Sequence, residues 1–156
     1  MRYDILLSIK PKYAKMIYAG EKKYEIRKKI PKPFFIGKHE VYAQMNKQMK
    51  VLVYESSPVQ RVTGYVLFGE VLLEDIDPVW DTYQKFLGVT LKEYIEYTRN
   101  HQMVYIAMIV NAVKFDEPYR LEHKPPQNFM YTGRDTYPQT KEVIKNETAE
   151  IGLELY

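Results

Sequence analysis

The densest chemistry in this chain lies between Gly20 and Lys29, where GEKKYEIRKK sets cationic donors around the carboxylate of Glu25. If Lys22–Lys29 is a strand, its side chains alternate between two faces. Tyr24 and Ile26 then share one face with Lys22 and Lys28, and Lys23, Glu25, Arg27 and Lys29 share the other. Three cations around one glutamate suit a solvated groove that receives an anion and suit a protein core badly. The plainer reading is an edge strand whose lysines deter edge-to-edge pairing.

Other residues with chemical potential group less well. Ser56 and Ser57 carry hydroxyls, but no strand-turn-helix elbow surrounds them and no histidine is near in sequence, so beside Pro58 they read as a turn. His39, His101 and His123 have no partner at metal-ligand spacing, and no metal or other cofactor is implied. Glu70, Glu74, Asp75 and Asp77 could supply a general base, although a solvated strand end explains them as well. The seven glycines are scattered, with no phosphate-cradling loop among them.

The elements that must position these residues follow from periodicity and capping signals. Arg2–Ile9 reads as a strand with Tyr3, Ile5, Leu7 and Ile9 on one side. Pro11–Ala19 reads as a short helix, opened by proline and closed by Gly20, with Tyr13, Met16 and Ile17 as its apolar stripe. The strand from Lys22 follows at once, and residues 30–39 form a loop. Strands are expected near Glu40–Gln44, Lys50–Tyr54 and Val59–Leu73. Asp77 and Pro78 suit a helix entrance, giving helices over Val79–Leu87 and Leu91–Arg99, the second with Thr90 and Glu93 as a capping box. Val104–Val113 returns to the sheet, and Tyr137–Tyr156 is weakly patterned. Strands interrupted by a few short helices argue for an α+β or mainly β, barrel-like fold.

At 156 residues the chain fits one domain, 1–156, able to bury roughly two thirds of its unfolded surface. It contains no cysteine, which excludes disulfides and thiol chemistry. The N-terminal apolar run is too short for a signal peptide or a spanning helix, so the expectation is a soluble, cytoplasmic protein with no membrane partner. The net charge of +3 hides an asymmetry: residues 1–50 hold 13 lysines and arginines against 4 acids. Such an excess would draw polyanions, and fifteen tyrosines supply faces on which bases stack.

The blocks LLSIKPKYAKMIYAGEKKYEIRK, VLVYESSPVQRVTGYVLFGEV, YIAMIVNAVKFDEPYRL and PPQNFMY together resemble the ASCH domains of the PUA-like superfamily, across about residues 3–131. The resemblance implies a β-barrel of five or six strands with flanking short helices. It also implies a cleft beside the first helix, faced by the Gly-x-Lys-x-x-Glu-x-Arg residues. RNA or modified nucleotides are the ligands expected of such a domain, in regulatory roles. One ASCH subgroup hydrolyses the acetyl amide of acetylated cytidine with a Lys, Thr and Glu set. Aligned on Gly20, its lysine falls on Lys22, its threonine on Glu25 and its glutamate near Leu87. Another branch resembles metal-dependent ribonucleases.

The resulting expectation is an RNA- or nucleotide-binding module. Lys10, Lys12, Lys22, Lys23 and Arg27 would meet phosphate or base edges, with Tyr13 and Tyr54 as stacking faces. Ser56 and Ser57 lie beside them, and Gln127 would complete the site from the C-terminal side. A hydrolase of modified nucleosides is the rival, with Lys22 stabilising negative charge and Glu25 as base. A protein-interaction adaptor, its basic third meeting an acidic partner, is the third possibility.

Overall fold

The computed structural model describes residues 5–29, 49–125 and 129–131. β1 (Ile5–Ile9) is buried throughout. Its period of two sends Ile5, Leu7 and Ile9 into one core cluster and Leu6 into another, so both faces of the strand are covered. α1 (Pro11–Tyr18) starts on proline and ends as expected: Gly20 takes φ 78°, its N–H donates to Ile17 O, and the Glu21 N–H donates to Met16 O. The buried stripe of α1 is Ala14 and Ile17. Tyr13 and Met16 are only half-buried.

β2 (Tyr24–Arg27) is shorter than the expected Lys22–Lys29. β3 (Met49–Glu55), β4 (Arg61–Asp75), β5 (Met103–Tyr119) and β6 (Phe129–Tyr131) complete a six-stranded sheet in the order β2-β5-β4-β3-β1-β6. β1 and β3 run parallel, and the remaining neighbours are antiparallel. β5 continues past the expected Val113 to Tyr119. Register shifts along β4 and β5, and between Val53 and Tyr54 in β3, bend the sheet.

α2 (Ile76–Tyr83) and α3 (Leu91–Tyr97) join β4 to β5, with a 3-10 turn at Gln84–Phe86 between them. α2 begins earlier than the Asp77–Pro78 signal suggested, because the Ile76 N–H finds Gln102 O across the sheet end and draws those two residues into the first turn. The capping box of α3 is present as expected. Val79, Leu87 and Tyr94 pack on Ile26, Val104 and Ile106, which fixes both helices over the β2–β5 edge. Among the described residues no helix is long and apolar enough to cross a membrane.

The strand count and the flanking helices match the expected barrel, but the barrel is not closed. β2 and β6 are the outer strands of the sheet. In a flat sheet, the four steps from β2 to β1 would span about 19 Å. Instead the Arg27 Nη2 donates to Ser8 O at 3.2 Å, so the sheet curls until β2 faces β1 across a seam bridged by a side chain. Among the described residues β6 pairs with Ile5–Leu7, and Ser8 and Ile9 of β1 line the seam. The expected loop over 30–39, the strand near Glu40–Gln44, the segment from Tyr137 and the residue Gln127 lie outside the described residues.

Candidate ligand cleft at the seam

The seam opens into a cleft of about 550 Å³. One wall is the end of β1 with Tyr13 of α1; the opposite wall is β2; α3 closes a third side with Glu93, Glu96 and Tyr97. A long-range pairing sets which side chains enter. The Lys23 N–H donates to Phe86 O, and Lys23 O accepts from the Ile109 N–H, so the extended ladder takes hold only at Tyr24. Lys22 precedes the strand and turns inward, beside Glu25 and Arg27. The alternation counted from Lys22 therefore fails at its first residue: Lys22 is 3% exposed and joins the cleft. Lys23 is exposed, with Nζ 4.8 Å from the Phe86 ring centroid, away from the cleft.

Lys22, Glu25 and Arg27 bring their charges together in the cleft lining. The Lys22 Nζ donates to Leu87 O. Burial pushes the Lys22 ammonium below its ordinary pKa, Glu25 partly offsets that, and Arg27 adds to the lowering. Glu25 is 6% exposed, with Oε1 3.5 Å from Arg27 Nε. Its Oε2 is buried with no hydrogen-bond partner among the described residues.

Across the cleft, Glu93 ties α3 to α1. One carboxylate oxygen accepts from the Thr90 N–H at 3.0 Å as part of the capping box. The other accepts from Lys12 Nζ and from the Tyr13 hydroxyl, each at 2.7 Å. The Lys12 hydrogen bond foremost, then the bonds from Thr90 and Tyr13, holds the Glu93 carboxyl well below the usual carboxylate range. The Tyr13 hydroxyl is raised, by burial first and then by Glu93. Lys12 and Lys22 lie 4.8 Å and 5.6 Å from the Tyr13 ring centroid, and Lys28 lies 4.6 Å from that of Tyr97.

Of the residues singled out in the sequence, Lys10, Tyr13, Lys22, Glu25, Arg27 and Ser56 line this cleft. Lys12, Tyr54 and Ser57 line a neighbouring depression of about 410 Å³ that shares Ser8, Lys10 and Ser56 with it. Tyr54 is 4% exposed and packs with Leu6, Leu52 and Tyr65, so its ring belongs to the core. Leu87 is buried among apolar side chains and contributes its carbonyl to Lys22. Among the described residues no cluster of histidine and carboxylate side chains could hold a metal ion. A more capacious depression, about 970 Å³, lies between α2 and α3 beside Asp75, Asp77 and Asp81, and shares Tyr94 with the seam cleft.

Sequence reasoning missed Glu93, Glu96 and Tyr97 as cleft residues. A signal was present: a capping-box glutamate commits one oxygen and keeps another, and positions 93, 96 and 97 share a helix face.

Comparison with known proteins fits this architecture. The family model described as Domain of unknown function (DUF365) matches residues 9–133. An ASCH domain-containing ribonuclease from Zymomonas mobilis subsp. mobilis is 20% identical over 141 residues, covering 86% of this chain and 87% of that protein. The large ribosomal subunit protein uL22 of Ureaplasma parvum serovar 3 is 27% identical over 132 residues, covering 81% of this chain but 38% of that protein. The crystal structure of ASCH from Zymomonas mobilis superposes with a TM-score of 0.73 at 20% identity, covering 92% of this chain and 96% of that one. The fold is thus that of an ASCH domain, as the sequence blocks implied, and the chain belongs to the DUF365 family.

Proposed function

We propose that this protein binds single-stranded RNA, or a nucleotide-like ligand, by taking one base into the seam cleft while phosphates follow its basic rim, and that it acts as a regulator in RNA metabolism. The observation that carries this reading is the sorting of charge. Within the cleft Lys22 and Arg27 meet Glu25 and Glu93, so the interior suits a polar, uncharged group. Lys10, Lys12 and Lys28 are exposed at the rim, the last two beside the cleft tyrosines, where phosphates would run. Tyr13 and Tyr97 are half-buried and offer faces for an unstacked base. The ribonuclease name of the Zymomonas relative supports RNA as the ligand class.

The test is salt dependence. Lys10→Ala and Lys28→Ala should each reduce the slope of log affinity against log salt by about 0.7, with an unchanged melting temperature. An unaltered slope in both variants would remove the rim from the account.

A second reading is RNA cleavage at the same site, favoured by Glu25 Oε2, which has no hydrogen-bond partner among the described residues, beside Lys22. Glu25 would take the proton of the 2′-hydroxyl as that oxygen bonds to phosphorus, the bond from phosphorus to the 5′-oxygen would break with solvent protonating the departing oxygen, and Lys22 would stabilise the charge that develops on the phosphoryl group. Cleavage of labelled RNA that persists undiminished in Glu25→Gln would rule this out.

A further inference from the structure

α3 has a second face. Glu93, Glu96 and Tyr97 line the seam cleft, whereas Leu91 and Ile95 line the depression between α2 and α3. Leu91 and Ile95 are 49% and 54% exposed, the two most exposed large apolar side chains among the described residues. Exposed apolar side chains grouped in a concavity with a polar rim mark contact sites for other proteins. The groove is built before any partner arrives: the Trp80 and Tyr94 ring centroids lie 5.1 Å apart, and the Tyr94 hydroxyl donates to Ile76 O at 2.6 Å, which holds α3 against the start of α2.

The α2 wall is acidic. Asp75, Asp77 and Asp81 line it and are exposed, and no ion pair among the described residues engages any of them. Asp75 stands at the N-cap of α2, yet its side chain makes no cap hydrogen bond. Arg99 and His101, past the end of α3, also line the groove, and the three carboxylates outweigh them. Such a wall repels RNA and draws a cationic partner. The spacing selects a helix as that partner. Leu91 and Ile95 lie one turn apart on α3, and Asp77 and Asp81 one turn apart on α2, so each wall repeats at about 6 Å. An amphipathic helix carries its apolar and cationic side chains at the same repeat.

We propose that the α2–α3 groove docks a basic amphipathic helix of a partner protein. The apolar stripe of that helix covers Leu91, Ile95 and Trp80, and its lysines or arginines meet Asp75, Asp77 and Asp81. α3 then serves two ligands, with the seam cleft on one face and the partner helix on the other.

Trp80 is the single tryptophan of the chain, so its emission reports occupancy of the groove. The probe for the full chain is a tryptophan-free amphipathic peptide of about 15 residues, with leucines along one stripe and lysines flanking it. A second peptide carries glutamate at every lysine position. The lysine peptide should shift Trp80 emission to the blue with saturation, and the glutamate peptide should bind at least about tenfold more weakly. Ile95→Glu should lower affinity for the lysine peptide about tenfold or more, and Asp77→Asn with Asp81→Asn should weaken binding and flatten its salt dependence. All three positions are exposed, so the melting temperature should stay near the wild-type value. Emission unmoved by the lysine peptide, equal binding of the two peptides, or affinity undiminished in Ile95→Glu would overturn the proposal. So would sedimentation of the chain alone as a dimer that Ile95→Glu dissolves, which would give the groove to a second copy, or an oligouridine that shifts Trp80 emission as the lysine peptide does.

Discussion

Replacing Lys22 with methionine should separate the packing of its stem from the work of its ammonium group. The stem is fixed: a Cβ at Gly88 would meet both Lys22 Cδ and Met16 Sδ at 3.1 Å. Methionine fills nearly the same volume, so the stem contacts survive. What is lost is the donor to Leu87 O and one of the cations facing Glu25; Arg27 remains. An unsatisfied buried carbonyl and a less well compensated carboxylate cost a few kcal/mol, and removing a desolvated ammonium returns part of that, leaving a net loss of about 2 kcal/mol at neutral pH.

The pH dependence gives the sharper signature. Lys22 sits below its ordinary 10.5 in the folded chain, so it binds fewer protons folded than unfolded. Wild-type stability contributed by this group therefore rises with pH, from the lowered folded value up to 10.5. Methionine does not titrate. Urea denaturation at about pH 7 and about pH 9.5 should thus show the stability gap between wild type and Lys22→Met widening with pH, the buried tyrosines being common to both chains and cancelling. A gap that stays constant or narrows would refute a lysine buried as a strained cation, and a variant more stable than wild type at both values would refute the value assigned to the Leu87 contact.

Two further outcomes follow from the geometry. Gly64→Ala should cost about 3 kcal/mol or more in urea denaturation, since its Cβ would lie 2.1 Å from Val113 O and 2.7 Å from the Tyr18 hydroxyl; the strand pairing fixes the first, and the 2.7 Å hydrogen bond shared with Thr63 fixes the second. Tyr13→Phe keeps the ring and loses the bond to Glu93, so RNA affinity should change less than about threefold, whereas Tyr13→Ala should lose about tenfold or more in the same titration if the ring stacks on a base.

The parts of the fold that follow from local chemistry were legible in the sequence. Pro11 and Gly20 bound α1, Thr90 and Glu93 cap α3, and the alternation of Ile5, Leu7 and Ile9 gives β1 its core face. Features decided by distant partners were not. Whether Lys22 or Lys23 turns inward depends on Phe86 O and the Ile109 N–H, residues far along the chain. The earlier start of α2 depends on Gln102 O. Tyr54 looked like a stacking face because tyrosine suits both strands and ligand sites; the sheet's second core decides for burial. The seam itself depends on how far the sheet curls to bring β2 against β1, and that leaves no local mark in the sequence. The anion-binding groove first read from GEKKYEIRKK becomes a charge-balanced cleft once Glu93 and Glu96 arrive from α3.

The most direct measurement is a crystal structure of the full chain with a short single-stranded RNA of mixed sequence. The account predicts that one base enters the seam between β1 and β2 with its ring against Tyr13 or Tyr97. RNA bound elsewhere with the seam empty, for instance along the depression between α2 and α3 beside Trp80 and His101, would contradict it.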